Sequence, residues 1–333
     1  MKHSNIALFV PHNGCPHQCS FCNQKEITGQ VYQPAPEDVV SAVNTARESL
    51  GEKTKNSEIA FFGGSFTAID REYMTELLKA ASPFVANGEF AGIRLSTRPD
   101  AIDDEVLEIL KKYHVTSVEL GAQSMCDDVL DANQRGHSAE DVIKASGLIK
   151  EYDFSLGLQM MTGMYKSSHE KDKYTARNIA ELNPDTVRIY PTVVMKGTKL
   201  FELYRQGEYM PETLEDAVQL CAELLRFFEE QNINVIRIGL HSGDSLQENM
   251  AAGAYHPAFR ELCESEIIYG NALQEIKNKG IKNGTAEFFV NPRSVSRFIG
   301  QKRRNLNRLK ALGIIAVVRQ DISLEKYQVR IGL

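Results

Sequence analysis

The sequence lacks any long apolar run. No stretch of its 333 residues approaches the roughly 20 apolar residues that a helix needs to cross a bilayer. The N-terminal MKHSNIALFVP is short, ends at a proline and has no signal-peptide cleavage site. Internal repeats and low-complexity tracts are also missing. With 42% hydrophobic and 25% charged residues, a disordered or fibrous chain is disfavoured, and we expect a cytoplasmic protein with no membrane contact and one large domain plus a small one.

Cysteine is scarce, and its distribution is uneven. Of the six cysteines, Cys15, Cys19 and Cys22 fall within eight residues, whereas Cys126, Cys221 and Cys263 are widely spaced. This distribution favours a reduced compartment and a metal cluster over a framework of disulfides. For the three isolated cysteines we expect buried, small apolar side chains, with a functional role for Cys263 as an alternative.

Charge is divided between the two ends of the chain. Residues 271–333 contain 13 Lys and Arg against 4 Asp and Glu, although the whole chain carries a net charge of −6. The body is therefore strongly acidic and the tail strongly basic. This asymmetry predicts that the tail meets a polyanion; a solvated basic face that complements the acidic body is the alternative.

Apolar, β-rich runs alternate with amphipathic helical patterns over the first 240 residues. Repeated strand–helix units of this length indicate a parallel sheet with right-handed crossovers. We therefore predict an α/β fold, a partial (β/α)6 barrel followed by a small α+β domain. The predicted strands are 5–11, 58–62, 92–97, 116–121, 154–161, 185–190 and 234–238, and the predicted helices are 37–50, 70–81, 103–112, 138–151, 168–182 and 211–231.

In such barrels the chemistry lies at the C-terminal ends of the strands. Unusual residues do follow the predicted strands in turn: the cysteine loop, Gly63-Gly64-Ser65, Arg98-Pro99-Asp100, Gln123-Ser124 and Thr162-Gly163. The strand–helix rhythm ends near residue 240. We predict a barrel over 1–240, a capping or connecting segment over 241–285, and a basic domain over 286–333. The basic domain is predicted to begin with the strand EFFV, followed by helices at 293–299 and 304–312 and strands at 314–319 and 326–331.

The cysteine loop CPHQCSFC follows the first predicted strand directly. Three thiolates can bind three irons of a [4Fe–4S] cluster and leave the fourth iron open. S-adenosylmethionine (SAM) can chelate that open iron, and reductive cleavage of SAM then yields a 5′-deoxyadenosyl radical. A structural zinc site is the alternative, and it would need His12 or His17 as a fourth ligand.

The chain resembles the radical SAM superfamily, and within it the branch of the Elongator catalytic subunit. The resemblance spans about residues 6–240 and is carried by CPHQCSFCNQ, FFGGSFT, LSTRPD, VELGAQSM, NQRGH and RIYPTVVMKGTKL. Oxygen-independent coproporphyrinogen dehydrogenases are the neighbouring branch. The Elongator subunit continues into an acetyltransferase domain for which this sequence has no length left, so carboxymethylation chemistry is not expected.

The resemblance also implies roles for individual residues. Gly63-Gly64-Ser65 would receive the methionyl ammonium, although many relatives have Glu where this chain has Ser65. Phe21 would pack near the adenine, and Arg135 could bind a carboxylate through two hydrogen bonds. For Arg188 and Tyr190 a core-facing role and a substrate contact stay open. The residues expected at the ribose and carboxylate of SAM are Ser96, Gln123, Arg135 and Gln159; an ordinary polar residue at a strand end is the alternative for each.

The basic tail resembles a KH-type RNA-binding module. Two predicted helices flank the turn Gly300-Gln301-Lys302-Arg303, in which an arginine replaces the second glycine of the GXXG motif. Cationic side chains there favour phosphate. The alternative is a basic cap that docks an acidic partner such as the electron donor. The predicted RNA ligands are Arg297, Gly300, Lys302, Arg303, Arg304 and Arg308.

Together these features predict a radical SAM enzyme that modifies a nucleotide of tRNA or ribosomal RNA. It would need a low-potential electron donor such as flavodoxin or ferredoxin. Two alternatives remain: a radical SAM enzyme acting on a small molecule such as a porphyrin, and an RNA-binding protein whose Fe–S cluster is structural or senses redox state.

Overall fold

The parallel sheet of the barrel forms as the sequence predicts. The computed structural model of the protein describes residues 4–11, 18–22, 32–241 and 244–332, of which 244 and 245 are described by their backbone only. Within them, parallel strands follow one another across the sheet in the order β1-β2-β3-β4-β5-β6-β8. The strands are β1 Ser4–Val10, β2 Ser57–Gly63, β3 Gly92–Thr97, β4 Val115–Gln123, β5 Ser155–Thr162, β6 Thr186–Pro191 and β8 Asn234–Ile238; a short strand, β7 Val193–Met195, lies outside this sheet.

Helices connect successive strands and cover one face of the sheet. They are α1 Pro36–Leu50, α2 Arg71–Ala86, α3 Asp104–Lys112, α4 Asp127–Ala132, α5 Ala139–Glu151, α6 His169–Glu181, α7 Lys199–Gln206 and α8 Leu214–Glu230. β1 and β8 do not pair with each other in the described residues, so the sheet is a curled half-barrel. The predicted fold class is therefore confirmed.

The two faces of this sheet differ in chemistry because successive strand residues point to opposite sides. Ile59 and Phe61 of β2 and Leu95 of β3 are fully buried beneath the helices. Burying each such side chain contributes about 1.5–3 kcal/mol. The inner face instead carries polar and charged side chains, among them Glu58 and Arg94. The apolar core thus lies between the sheet and the single layer of helices. The concave face of the sheet remains available for polar contacts.

The segment after the barrel differs from the expected connecting stretch. It contains α9 Asp244–Asn249, β9 Met250–Gly253, which pairs antiparallel with β7, and a 20-residue helix, α10 Phe259–Asn278. The start of α10 packs in the core of the barrel through Phe259 and Cys263, and its end packs in a second core through Ile268 and Ala272. A helix shared between two cores explains why its apolar pattern was not recognised as one amphipathic face.

The C-terminal region forms a three-stranded sheet in the order β11-β10-β12. β10 runs parallel to β11 and antiparallel to β12. The predicted order strand, helix, glycine turn, helix, strands is present; the KH resemblance and the domain boundaries stay predictions. The elements are β10 Gly284–Val290, α11 Val295–Ile299, α12 Arg304–Ala311, β11 Ile314–Gln320 and β12 Val329–Ile331. No helix in the described ranges is long and apolar enough to cross a bilayer.

Candidate cofactor site

One pocket at the C-terminal ends of β1 to β5 gathers the residues that the sequence predicted for the cofactors. Cys15, together with the alternative zinc ligands His12 and His17, lies outside the described residues. Every other predicted cofactor residue lines this pocket: Cys19, Phe21, Cys22, Gly63, Gly64, Ser65, Ser96, Gln123, Arg135 and Gln159. Residues up to 140 positions apart in the sequence therefore meet at this edge of the sheet, as expected for residues that follow parallel strands.

The glycines after β2 allow the backbone to approach the end of β1. Gly63 has φ 123°, and a Cβ atom there would lie only 2.6 Å from the carbonyl oxygen of Val10. The amide of Gly64 donates to the same oxygen at 3.2 Å. A side chain at residue 63 would thus separate the two strand ends, and only glycine keeps this part of the pocket edge narrow.

Ser65, where many relatives carry Glu, is almost completely buried at 1% exposure. Its Oγ lies 2.8 Å from Oγ1 of Thr97 and accepts a hydrogen bond from the amide of Arg98 at 3.1 Å. The hydroxyl therefore fixes the loop after β2 to the end of β3. In this chain the short side chain links two strand ends. The longer side chain of a glutamate would not fit in the same buried position.

Gln123 turns into the pocket because its backbone leaves the regular strand. It adopts φ 65°, and the pairing of β4 with β5 is irregular between Gly121 and Gln123. Left-handed conformations are strained for residues other than glycine and are found at functional sites. The side chain accepts a hydrogen bond at Oε1 from Nε2 of Gln159, 3.0 Å away. These two predicted ligands thus form one polar edge.

Arg135 lies between the cysteine loop and the end of β4. Its Nη1 donates to Sγ of Cys19 at 2.9 Å, and its Nη2 donates to the carbonyl oxygen of Gly121 at 2.8 Å. The buried Nε has no hydrogen-bond partner in the described part of the chain. The unpaired buried donor calls for an acceptor from a bound molecule.

Sequence reasoning missed the contacts that fasten the cysteine loop. Ser20 donates its amide to the carbonyl oxygen of Asn133 at 3.0 Å and its hydroxyl to Oδ1 of Asn133 at 2.8 Å. The carbonyl oxygen of Ser20 accepts a hydrogen bond from the amide of Leu200 at 2.7 Å. Asn133 belongs to the NQRGH motif, so that motif both carries Arg135 and anchors the loop.

A buried ion network on the inner face was also missed. Glu119, 4% exposed, lines the cofactor pocket and pairs with Arg94 at 2.9 Å and with Arg188 at 2.7 Å. Arg94 also pairs with Glu58 at 2.6 Å. Nη1 of Arg188 reaches the hydroxyl of Tyr190 at 3.4 Å, so Arg188 and Tyr190 face the concave side of the sheet rather than the helix-covered core.

The three isolated cysteines differ in burial. Cys221 and Cys263 are fully buried in the core of the barrel, and burial raises the pKa of both thiols well above the ordinary value. For these two the expectation of small apolar side chains is confirmed. Cys126, at the start of α4, is half-buried and packs against the apolar cluster of Val129, Met161 and Met164, so it behaves as a small apolar side chain but is not fully buried.

The basic turn of the C-terminal region exposes fewer cations than the sequence suggested. Lys302 and Arg303 are exposed, and both adopt left-handed conformations, with φ 50° and 60°. The other three predicted arginine ligands form ion pairs with carboxylates of α8 and α10 instead. Arg297 pairs with Glu264 at 2.5 Å, Arg308 pairs with Glu266 at 2.6 Å, and Arg304 pairs with Glu215.

Comparison with protein families agrees with this geometry. The family model of the radical SAM superfamily matches residues 9–178, and that of the Radical_SAM C-terminal domain matches residues 184–268. The chain belongs to the radical SAM superfamily. The resemblance to the Elongator branch is confirmed as well, since curated relatives include a tRNA uridine(34) acetyltransferase of Methanocaldococcus jannaschii, 28% identical over 65% of this chain and 47% of that protein.

Other relatives of this radical SAM protein differ in coverage. Human Elongator complex protein 3 is 28% identical over 71% of this chain and 44% of its own length, so the chain spans about half the length of these relatives. An uncharacterised protein of M. jannaschii is 29% identical over 83% of this chain and 85% of its own length. Among solved structures, Elp3 of Methanocaldococcus infernus with an N-terminal deletion covers 84% of this chain, and 63% of its own chain is covered, at 23% identity and a TM-score of 0.63.

The pocket fits the two cofactors of the superfamily, a [4Fe–4S] cluster and SAM. The cysteine sulfurs can ligate iron, the glycine edge offers accessible backbone, and the unpaired Nε of Arg135 can donate to a carboxylate. When bound, these groups supply a radical that abstracts hydrogen from an unactivated carbon. The chain's own contribution is to hold Cys19 beside a cation and to keep Ser65, Gln123 and Gln159 in fixed positions around the pocket.

Proposed function

We propose that this radical SAM enzyme modifies a nucleotide of a structured RNA, either tRNA or ribosomal RNA, and that its basic turn docks the RNA. One observation carries the proposal: Arg304, the residue after the turn, pairs with Glu215 in the first turn of α8, the helix end that lies at the edge of the barrel where the strands end. The names of several relatives, which act on uridine 34 of tRNA, support the choice of RNA as substrate class.

The position of the turn follows from helix α8. Only three residues separate the end of α8 from the start of β8, so the last turn of α8 lies where the strands start and its first turn where they end. Consistent with this, the Glu212 carboxylate, directly before α8, packs on Gly163 at the end of β5, 2.9 Å from where a Cβ would be. Glu215 in the first turn of α8 pairs with Arg304, the residue after the basic turn. The turn is therefore held at the catalytic edge.

The conformation of the turn favours phosphate. Gly300 has φ 75°, and a Cβ there would lie 3.1 Å from the amide nitrogen of Asn305, so a larger residue would disturb the packing beneath the turn. Lys302 and Arg303 are held in left-handed conformations that lysine and arginine adopt only at a cost. Two exposed cations kept in a strained turn support a role in binding phosphates.

We expect the enzyme to cleave SAM and change the mass of a nucleoside when it meets its RNA. The test uses the full chain, reconstituted anaerobically with iron and sulfide, reduced with dithionite and incubated with SAM and a cellular small-RNA fraction. Nucleosides are then analysed by mass spectrometry, with Cys22→Ala as the inactive control. Cleavage of SAM without any modified nucleoside would contradict the RNA proposal in favour of a small substrate. No cleavage by fully loaded protein would favour the RNA-binding protein with a structural or redox-sensing cluster.

We expect the combined change Lys302→Ala and Arg303→Gly to weaken RNA binding for all sequences alike. Glycine at residue 303 suits the left-handed backbone, so the change removes charge without straining the turn. The slope of log affinity against log salt should become shallower by about 1.5 to 2, because two phosphate contacts are lost. Fluorescence anisotropy with labelled RNA over a range of salt concentrations measures both quantities.

A matched control removes the same charge at the opposite edge. Lys111 and Lys112 are exposed at the end of α3, next to the start of β4. The combined change Lys111→Ala and Lys112→Ala should leave the salt slope unchanged. Equal slopes for both double variants would show that the turn does not contact phosphates.

A further inference from the structure

The inner face of the sheet carries an arginine, Arg237, that pairs with no carboxylate of the described residues. Arg237 of β8 is the register partner of Arg188 of β6, so the two side chains lie side by side on the concave face. Tyr190, two residues after Arg188 on β6, shares that face. These residues lie beyond the cofactor pocket, which is lined by residues up to Gln159 of β5.

Two carboxylates of this face, Glu58 and Glu119, form ion pairs with its arginines. Glu119 is shared by Arg94 and Arg188, and Glu58 pairs with Arg94. Arg237 forms no ion pair with a carboxylate in the part of the chain that the structure describes; its Nε donates only to the carbonyl oxygen of Gly239, 3.2 Å away. Among the described residues of this face, three arginines therefore share two carboxylates.

This surplus cation is costly for the protein alone. Arg237 is half-buried, and partial burial, followed by the charge of Arg188, lowers the pKa of its guanidinium. Partial burial and the charges of Arg237 and Arg188 also lower the pKa of the nearby His241 to about 4. His241 is therefore neutral at pH 7 and can add a hydrogen bond without a further positive charge. A partly desolvated cation without a partner is expected where an anionic ligand completes the site.

We infer that Arg237, together with Arg188 and Tyr190, forms a subsite that binds a phosphate group of the substrate nucleotide. This inference rests on the proposed function, because it takes the substrate to be a nucleotide. β8 lies two strands from β5, about 10 Å across the sheet. A nucleotide whose phosphate contacts Arg237 would thus direct its sugar and base towards Gln159 and the cofactor pocket. A guanidinium suits this ligand because it binds phosphate oxygens through two parallel hydrogen bonds.

The test compares three probes on the reconstituted full chain saturated with SAM: uridine 5′-monophosphate, uridine and inorganic phosphate. Calorimetric titration should show that the monophosphate binds more tightly than either other probe. Equal binding of the monophosphate and uridine would overturn the subsite. Binding of inorganic phosphate as tight as that of the monophosphate would show a free-anion site and overturn the nucleotide assignment.

Variants assign the effect to Arg237. Arg237→Gln should weaken monophosphate binding about 10-fold or more while leaving uridine binding unchanged, since a charged hydrogen bond is lost. Arg237→Lys should retain part of the preference, which separates loss of charge from misfolding. Arg205→Gln, a change at an exposed arginine of α7, is the matched control and should bind all probes as the unmodified protein does. Unchanged monophosphate binding by Arg237→Gln would contradict the subsite.

The two proposals can fail separately. Loss of the phosphate preference in Arg237→Gln, combined with no RNA modified by the unmodified enzyme, would leave the subsite standing and remove the RNA function. RNA modified by Arg237→Gln with an unchanged KM would leave the RNA function standing and remove the subsite.

Discussion

Replacing Cys19 by alanine is expected to abolish reductive cleavage of SAM. The Cys19 side chain lines the cofactor pocket, is 7% exposed and accepts a hydrogen bond from Arg135 at 2.9 Å. Its loss would remove a predicted iron ligand and leave the Arg135 guanidinium beside an empty space. Changing groups around a metal ligand already costs about 10–100-fold in affinity or activity, so losing the ligand itself should cost at least about 100-fold.

The measurement combines iron content, the visible absorption of the reconstituted protein and 5′-deoxyadenosine formed under dithionite. Cys126→Ala is the matched control, because Cys126 is half-buried at the start of α4 and does not line the pocket. Its iron content and SAM cleavage should equal those of the unmodified protein. If Cys19→Ala kept a full cluster and full cleavage, Cys19 would not be a ligand, and the chemistry assigned to the pocket would be wrong.

The strands and their order could be predicted because local signals agree with the fold. The prediction for β3 matches the observed residues 92–97, a short buried run followed by helix α3. Two helix starts were predicted to within one residue, at positions where a capping side chain begins the helix: Asp103 accepts a hydrogen bond from the amide of Val106, and Ser138 forms a capping box with Asp141. The C-terminal ends of parallel strands all lie at one edge of the sheet. The position of the pocket could therefore be predicted from which residues follow each strand.

The remaining features depend on partners that are distant in sequence. The short helices α4 and α7 have 6 and 8 residues, too few to establish a helical period. β7 and β9 pair across more than fifty residues, so neither is recognisable by itself. Arg304 looks like a free cation in the sequence because its partner Glu215 is 89 residues away. A charge pattern shows where cations are, and only the packed structure shows which of them are already paired.

Replacing Glu119 by alanine is expected to cause the largest loss of stability. Glu119 accepts hydrogen bonds from Nη1 of Arg94 at 2.9 Å and from Nε and Nη2 of Arg188 at 2.7 and 2.9 Å. Without this carboxylate, two largely buried guanidinium groups would lie side by side, and only Arg94 would keep a carboxylate, that of Glu58. Removing one partner of a buried ion pair costs about 3–5 kcal/mol. That is a large part of the roughly 5–15 kcal/mol that stabilises a folded domain.

Urea unfolding followed by circular dichroism measures the free energy of unfolding of each variant. Glu287→Ala is the control, because Glu287 pairs with Arg319 at the surface, where both side chains are about half exposed at 47% and 57%. Losing such a surface pair should cost no more than about 1 kcal/mol. Glu119→Gln keeps the shape and an acceptor oxygen but not the charge, so its loss should fall between those of the two alanine variants. If Glu119→Ala lost no more stability than Glu287→Ala, the inner ion network would not hold β3, β4 and β6 together.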